Sequence, residues 1–328
     1  MKTCKTVFIT AHVGPDGDTL GSMLALKLAL GEHVKHLDRI DCVISGKMPD
    51  VFSFLPGIGW VMHMEDDANK LCTEYDMAIS VDCGSPDRLG LAQPVFNAAK
   101  LSVNIDHHIS NVGFATLNLI DTSAAASTEV IYDLLMAMNI PVDENVATCL
   151  YVGIITDTGC FRYSNTTGKV LQIASQLVSA GARPEFIYRQ MFEEQPLEKL
   201  QLHAKAFLNA SFNTDKTVAW TVVTQSLLAE MHSPEEYVEG IVELLRRIDT
   251  VVVAFVIRET PAGTTKVSIR SDRETIDVSE IMAQFNGGGH RLAAGCSINA
   301  TLDSALDQLL PLIAKAVDAY QLTPHALS

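Results

Sequence analysis

The amino-acid sequence predicts an α/β fold, with an N-terminal domain built on a mainly parallel, doubly wound sheet, a smaller C-terminal α/β domain, and an active-site cleft between them. From Thr6 to about Phe192, short β-rich runs alternate with helical runs. The β-rich runs are continuously apolar, as in strands that are covered on both faces. Further along the chain, three strand-like runs alternate less regularly with helical ones. We therefore expect a first domain over residues 1–192, a helical linker over 193–214 and a second domain over 215–328.

Each predicted element follows from the local spacing of its apolar residues. In the first domain, the predicted strands are Val7–Ala11, Cys42–Ser45, Met77–Val81 and Leu101–Ile105. The predicted helices are Thr19–Leu30, Thr128–Met138, Asn145–Thr156 and Gly168–Ala180. In the second domain we expect strands over Val218–Thr224, Val251–Arg258 and Lys266–Ser271, and helices over Tyr237–Ile248, Val278–Phe285 and from about Leu302 to Tyr320.

Composition limits the kinds of partner that the protein can bind. The 328 residues carry a formal net charge of −15, which argues against binding of long duplex nucleic acid, because such binding needs many cationic phosphate contacts. A short anionic substrate in one local pocket is compatible with this charge. The seven cysteines are scattered and form no Cys-x-x-Cys pair, which favours reduced thiols and a cytoplasmic protein. No apolar run approaches ~18 residues, so we expect no membrane partner.

Acidic and histidine side chains follow the predicted strands of the first domain. His12 comes directly after the first strand, Asp82 after the third and Asp106 after the fourth. Because ligands bind at the carboxyl ends of the strands in such sheets, we expect these side chains at one edge. The loop after His12 adds Asp16 and Asp18, although Asp18 could simply cap the helix that follows it.

These side chains have the chemistry of a site for two metal ions. Hard divalent cations prefer carboxylate oxygens, and imidazole suits Mn, Fe or Zn. Two cations about 4 Å apart need a shared carboxylate and roughly three further ligands each. Six residues can supply this set: His12, Asp16, Asp18, Asp82, His107 and Asp157.

The order of the motifs resembles the DHH phosphoesterase superfamily. The first-domain motifs are His-x-x-x-Asp-x-Asp from His12, then Val81-Asp82, Asp106-His107-His108 and Thr156-Asp157-Thr158-Gly159. The run Asn286-Gly287-Gly288-Gly289-His290, followed by Ala293-Ala294-Gly295, is similar to the Gly-rich motif of the C-terminal domain that accompanies this family. The run from Gly159 to Thr166 resembles the branch of small oligoribonucleases.

The resemblance implies a role for each first-domain residue. His12 and Asp16 would bind one cation, and Asp18, His107 and Asp157 would bind the other. Asp82 would bridge the two cations. Asp106 would orient a histidine ring, and His108 would donate to the scissile phosphate or to the leaving oxygen. The implied cofactors are two divalent cations, Mn²⁺ in the family, with Mg²⁺ or Co²⁺ as possible substitutes.

The second domain is expected to bind the substrate. The residues Gly287, Gly288 and Gly289 allow close approach of an anion to backbone N–H groups, although a plain helix C-cap after Phe285 is an alternative explanation. The resemblance places Arg270 and Ser271 opposite this loop, where the guanidinium could contact a terminal phosphate. His290 would stack on a nucleotide or form a hydrogen bond to it.

The implied function is that of a metal-dependent exonuclease and phosphatase. It would hydrolyse short RNA oligonucleotides (nanoRNA) to mononucleotides and dephosphorylate 3′-phosphoadenosine 5′-phosphate (pAp) by attack of a metal-activated hydroxide. The family also suggests a homodimer. The alternatives are a phosphodiesterase for linear or cyclic dinucleotides such as pApA, and a nucleotide-binding module without catalysis. An inorganic pyrophosphatase is less favoured, because those enzymes lack the Gly-rich loop.

Overall fold

Six parallel strands form the sheet of the N-terminal unit. The computed structural model describes residues 4–321, which divide into one unit ending at Glu194 and a second beginning at Gln195. The strands of the first unit are β1 (Thr6–Ala11), β2 (Arg39–Ile44), β3 (Val61–His63), β4 (Met77–Val81), β5 (Ser102–Asp106) and β6 (Leu117–Ile120). Their order across the sheet is β3-β2-β1-β4-β5-β6, and every neighbouring pair is parallel.

Helices and short turns cover both faces of this sheet. Alternate side chains of β1 point to opposite faces, as in any strand. Val7 and Ile9 belong to the larger apolar cluster, whereas Phe8 packs in a second cluster with Phe96 and Leu89. The helices of this unit are α1 (Gly17–His33), α2 (Met64–Asp67), α3 (Gln93–Ala98), α4 (Ser127–Ala137), α5 (Glu144–Asp157), α6 (Gly168–Ser179) and α7 (Pro184–Tyr188).

Close packing of α1 against α5 brings the carboxylates of Asp18 and Asp157 close together. A Cβ atom at Gly21 would lie 2.4 Å from the carbonyl oxygen of Cys149, and one at Gly17 would lie 2.1 Å from Oγ1 of Thr156. Only glycine permits this approach. The two contacts also show that the helices run antiparallel, so the first turn of α1 lies beside the last turn of α5.

The second unit contains a mixed six-stranded sheet. Its strands are β7 (Ser211–Phe212), β8 (Val218–Val223), β9 (Val253–Glu259), β10 (Thr265–Ser271), β11 (Gly288–His290) and β12 (Ala293–Ile298), in the order β11-β12-β10-β9-β8-β7. Among the described strands of this second sheet, only β8 and β9 pair in parallel. The helices are α8 (Leu197–Leu208), α9 (Gln225–Glu230), α10 (Ile241–Arg246), α11 (Val278–Ala283) and α12 (Leu302–Gln321).

The structure confirms the predicted α/β class and the parallel N-terminal sheet, and it differs in several elements. The helix predicted over Tyr237–Ile248 is broken at Gly240, whose φ of 96° is left-handed, into a 3₁₀ turn and the short α10. Five strands were not predicted: β3, β6, β7, β11 and β12. The longest of them, β12, is Ala-Ala-Gly-Cys-Ser-Ile, whose first three residues have low strand propensity.

Within residues 4–321, none of the helices combines the length and the apolar character that crossing a bilayer requires.

Candidate metal centre

The strand ends bring the predicted first-domain residues together. His12 follows β1, Asp82 follows β4 and Asp106 is the last residue of β5. Strand β4 pairs with both β1 and β5, so these three positions lie on adjacent strands at one edge. The backbone of Asp82 has a φ of 51°, a left-handed conformation that is uncommon for a residue other than glycine. Such strain is often found at functional positions.

Three overlapping groups of side chains could hold a metal ion here. Within each group, one potential ligand atom per residue lies within 4.8 Å of the others. Asp82 and His107 each belong to two groups, so the three groups form one continuous centre. The groups are His12, Asp16 and Asp82; Asp18, His107 and Asp157; and Asp82, His107 and His108.

The two acids of the first loop have different structural roles. The carboxylate of Asp16 caps α1 by accepting a hydrogen bond from the backbone N–H of Thr19 at 3.0 Å. The suggestion that Asp18 caps α1 is therefore wrong. Instead, Asp18 is fully buried and accepts hydrogen bonds from the first turn of another helix, α4. The donors are the backbone N–H of Ser127 at 2.6 Å, and the N–H and hydroxyl of Thr128 at 2.9 and 2.7 Å.

His12 and His107, the two predicted histidine ligands, are oriented as metal-binding imidazoles usually are. Nδ1 of His12 lies 2.8 Å from the carbonyl oxygen of Val13, and Nδ1 of His107 lies 3.4 Å from that of Ala124. A nitrogen beside a carbonyl oxygen carries a proton, so Nε2 is the atom of each ring that could bind a cation after losing its own proton. Nε2 of His12 is 3.4 Å from Asp82, and Nε2 of His107 is 3.2 Å from Asp157. The donor set thus fits divalent cations.

Asp106 orients His108, the second histidine of the triplet. Its Oδ1 atom accepts a hydrogen bond from Nδ1 of His108 at 2.7 Å, while Oδ2 accepts one from the amide of Asn111. Asp106 is fully buried, and Nδ1 of His108 also lies 3.6 Å from Oδ1 of Asp82. The expected orientation of a histidine ring by Asp106 thus has a matching hydrogen bond in the structure, and the ring concerned is that of His108.

Burial and crowded negative charge shift the pKa values of this centre. Burial, and then the charges of Asp157 and Asp82, raise the pKa of Asp18 well above its usual value. Burial also raises the pKa of Asp157 to about 6, although its hydrogen bond with His107 acts in the opposite direction. Burial lowers the pKa of His107, but the hydrogen bond to Asp157 and the nearby carboxylates outweigh burial and raise it to about 10. Bound cations would relieve this carboxylate repulsion.

Four polar residues that contact the centre were not predicted from the sequence. The hydroxyl of Thr19 donates to Oδ2 of Asp82 at 2.7 Å, and that of Ser127 donates to Oδ1 at 3.2 Å. Thr128 binds Asp18, and the amide of Asn165 donates to the carbonyl oxygen of Asp157 at 3.1 Å. Thr19 could have been suspected from its place next to Asp18. Ser127 and Thr128 could not, because more than a hundred residues separate them from Asp18.

The predicted substrate-binding residues of the second unit lie on neighbouring strands. Arg270 of β10 pairs with Ala293 of β12, which also pairs with His290 of β11. Directly paired residues share a face, so Arg270 and His290 lie on the same face of the sheet, two strands apart. Nε of Arg270 donates to Glu243 at 3.0 Å. Ser271 points to the opposite face and is fully buried, with its hydroxyl bonded to backbone carbonyls.

The Gly-rich run is the end of a helix followed by an edge strand. Asn286 adopts a left-handed φ of 56° after α11, and the N–H of Gly287 donates to the carbonyl oxygen of Met282 at 2.9 Å, as at a helix C-cap. The alternative of a C-cap is therefore correct for Asn286 and Gly287. A Cβ atom at Gly287 would lie 2.3 Å from the carbonyl oxygen of Gly295, so this glycine also permits close strand packing. Gly288, Gly289 and His290 are exposed.

Known proteins share both the sequence motifs and the fold. The chain matches the DHH family, N-terminal domain, over residues 6–154 and the DHHA1 domain over residues 221–319. It is 31% identical over 313 residues to the bifunctional oligoribonuclease and PAP phosphatase NrnA of Thermus thermophilus, which covers 94% of this chain and 89% of that protein. It is 25% identical over 296 residues to the protein of the same name from Bacillus subtilis, with 89% of both chains covered.

A solved structure shows the same architecture over almost the whole chain. The crystal structure of an exopolyphosphatase-related protein from Bacteroides fragilis has a TM-score of 0.88 at 25% identity, and the match covers 97% of this chain and 93% of that one. Together with the sequence matches, this similarity shows that the chain belongs to the DHH family of phosphoesterases, hydrolases that depend on divalent metal ions.

Proposed function

We propose that the protein hydrolyses short oligoribonucleotides to mononucleotides and also dephosphorylates pAp. The observation that carries this proposal is the continuous centre around Asp82, where three groups of metal-binding side chains overlap beside His108. The names of the Thermus thermophilus and Bacillus subtilis relatives support the two substrates. A net charge of −15 favours substrates of about two to five nucleotides over long strands, because few phosphates need to be held.

We assign the ligands to two divalent cations that share Asp82. His12 and Asp16 would hold the first cation, and Asp18, His107 and Asp157 would hold the second. These sets follow two of the three groups that the structure brings together. We expect Mn²⁺ as the native ion, with Mg²⁺ or Co²⁺ as substitutes, because Mn²⁺ is the usual ion of the family that the sequence motifs resemble.

The remaining residues of the centre orient the side chain of Asp82 or donate a proton. When bound, the cations supply an activated water molecule and neutralise charge on the phosphoryl oxygens. His108 donates a proton to the leaving oxygen through Nε2, since Nδ1 is held by Asp106. Thr19 and Ser127 fix the two oxygens of Asp82 by donating one hydroxyl to each.

In this proposal, the second unit binds the terminal nucleotide of the substrate. Arg270 contacts a terminal phosphate, and the exposed backbone of Gly288 and Gly289 and the ring of His290 contact the nucleotide. The shared face of Arg270 and His290 supports this assignment. Ser271 acts indirectly, because its buried hydroxyl supports the end of β10.

A substrate panel with the purified full-length protein tests the proposal. Mn²⁺-dependent release of mononucleotides from 5′- and 3′-labelled RNAs of about two to five nucleotides, and of phosphate from pAp, is expected. The panel includes pApA and cyclic dinucleotides, which represent the alternative activity. Turnover of dinucleotides alone would favour that alternative, and absence of turnover with all substrates under Mn²⁺ would contradict both activities and favour a nucleotide-binding module.

We also propose that the protein forms a homodimer through the edge strand β6. Leu117 and Leu119 on this strand are 54% and 41% exposed, and no described strand pairs with its outer side. The segment 109–120 contains no charged residue, so pairing of two copies along it would place no like charges in direct contact. Light scattering should show a dimer that Leu119→Lys converts to monomer. The control Leu171→Lys alters an equally exposed leucine on α6 and should stay dimeric.

A cytoplasmic location is proposed from the cysteine residues. All seven are free thiols in the structure, and five of them are buried. Proteins of oxidising compartments generally pair their cysteines, whereas the cytoplasm keeps thiols reduced. Fractionation of cells that express the native gene product checks this expectation.

A further inference from the structure

A loop made of alanines contacts the metal centre without contributing a ligand side chain. Ala124, Ala125 and Ala126 lie between β6 and α4, and all three are buried. The carbonyl oxygen of Ala124 lies 3.4 Å from Nδ1 of His107. Directly after the loop, Ser127 binds both Asp18 and Asp82. A displacement of this loop would therefore disturb several proposed ligands at once.

Two side chains hold the loop by both polar groups of Ala125. The N–H of Ala125 donates to Oε2 of Glu129 at 2.8 Å, and its carbonyl oxygen accepts from the amide of Asn165 at 3.2 Å. The same amide donates to the carbonyl oxygen of Asp157 at 3.1 Å, so Asn165 connects the loop to a proposed ligand. Oδ1 of Asn165 is buried and has no hydrogen-bond partner among the described residues. A buried amide oxygen without a partner is unfavourable, which is consistent with a role of Asn165 beyond stability.

The carboxylate of Glu129 is itself almost fully buried. Its exposed fraction is 2%, and its second oxygen pairs with Nζ of Lys169 at 2.9 Å. A buried carboxylate is unfavourable unless it is paired and hydrogen-bonded. Lys169 also pairs with Asp133 at 2.7 Å, but Asp133 is about half exposed. Glu129 and Asp133 thus share the ammonium group of Lys169. Glu129 is the one of the two acids that accepts a hydrogen bond from Ala125.

We propose that Glu129 and Asn165 are positioning residues, which hold the Ala124–Ala126 loop so that His107 and Asp157 keep the geometry needed to bind a cation. This inference rests on the proposed metal-binding role of those ligands. The alternative is that Glu129 only stabilises the start of α4. A glutamate in the first turn of a helix often accepts a hydrogen bond from a backbone N–H that precedes the helix. The alternative predicts a loss of stability without a loss of metal affinity.

Calorimetric titration of Mn²⁺ into the metal-stripped full chain separates the two explanations. Glu129→Ala should weaken Mn²⁺ binding about 10- to 100-fold, as is typical when a partner of a ligand is removed. Glu129→Gln keeps an oxygen that can accept from Ala125 and should stay within about threefold of wild type. Asp133→Asn is the matched control, since it also removes a charge beside Lys169, and it should bind Mn²⁺ like the wild type.

Unfolding in urea, measured alongside, reports stability in each variant. If Glu129→Ala does not fold, Asn165→Ala is the second test and should weaken Mn²⁺ binding in the same direction. Wild-type affinity in both variants, with lower urea midpoints, would overturn the inference and support the helix-capping alternative. Equal losses in Glu129→Gln and Glu129→Ala would also overturn it, because the hydrogen bond would then not be the cause. A wild-type protein that binds no Mn²⁺ would overturn the proposed function as well.

Discussion

The Thr19 hydroxyl donates a hydrogen bond to Oδ2 of Asp82 at 2.7 Å and lies 2.9 Å from Nε2 of His12. Its side chain is fully buried, so water cannot replace this contact. Thr19 therefore orients the carboxylate that we assign to both cations and adjoins a second ligand.

We expect Thr19→Val to weaken Mn²⁺ binding about tenfold or more, because the substitution removes the hydroxyl and nearly keeps the shape. Thr10→Val is the matched control, since the Thr10 hydroxyl is also buried but has no hydrogen-bond partner among the described residues. That variant should raise the free energy of unfolding by about 1 kcal/mol and leave metal binding unchanged. Calorimetry and urea unfolding measure both effects. Equal Mn²⁺ affinity of Thr19→Val and wild type would show that the hydroxyl does not support the site.

Asp82→Asn should abolish the binding of two cations while keeping the fold. Asn tolerates the left-handed backbone of this position, where φ is 51°. Loss of the shared carboxylate should reduce kcat by at least about 10³-fold, corresponding to several kcal/mol of metal-derived stabilisation. Asp82→Ala should be less stable than Asp82→Asn by about 1 kcal/mol, because alanine is strained at positive φ. Retention of both cations in Asp82→Asn would refute the bridging role.

Asp106→Asn should reduce kcat about 10²-fold and leave Mn²⁺ affinity within about threefold of wild type, since Asp106 acts through His108. The exposed carboxylate of Asp133 provides the control, and Asp133→Asn should keep the wild-type kcat. Steady-state kinetics at saturating Mn²⁺ measure kcat, and calorimetric titration measures the Mn²⁺ affinity. A large loss of Mn²⁺ affinity in Asp106→Asn would instead place this residue among the metal ligands.

Metal binding should release protons at pH 7, and Mn²⁺ affinity should rise with pH. The pKa of Asp157 is raised to about 6, that of His107 to about 10, and that of Asp18 is also raised. Each group must lose its proton to bind a cation, so the metal-free centre holds protons that the cation displaces. The pH window runs from about 6, where Asp157 loses its proton, towards about 10 for His107. Titration in two buffers with different ionisation enthalpies counts the protons, and a count of zero would contradict the prediction.

Arg270→Ala should raise KM for pAp and short RNA at least tenfold, since a charge-assisted contact of about 1.5–3 kcal/mol is lost. Mn²⁺ affinity should not change, because Arg270 belongs to the second unit and to none of the metal-binding groups. Arg247→Ala removes an exposed arginine after α10 and serves as the control. Unchanged kinetics in Arg270→Ala would remove this residue from the substrate site.

The sequence determined the α/β class, the parallel N-terminal sheet and the acidic and histidine side chains that lie around Asp82. It could do so because continuous apolar strands and the residues that follow them are local features, and parallel strands place their carboxyl ends at one edge. The same local reasoning failed for β12, whose small residues have low strand propensity, and for the helix interrupted at Gly240.

Only the tertiary structure decided how the centre is held. Asp18 was expected to bind a cation, with capping of α1 as the alternative, and the structure adds hydrogen bonds to its carboxylate from the first turn of α4, more than a hundred positions away. Glu129 and Asn165 carry no motif that distinguishes them as supports. The contact of Glu129 with Ala125 spans four positions, whereas that of Asn165 with Ala125 joins segments 40 positions apart and arises only in the folded chain. The physical reason is that hydrogen bonds between distant segments depend on packing, whereas strand and helix patterns depend on neighbouring residues. The sequence motifs therefore indicate metal-binding chemistry, and the fold sets the positions of the side chains that would carry it out.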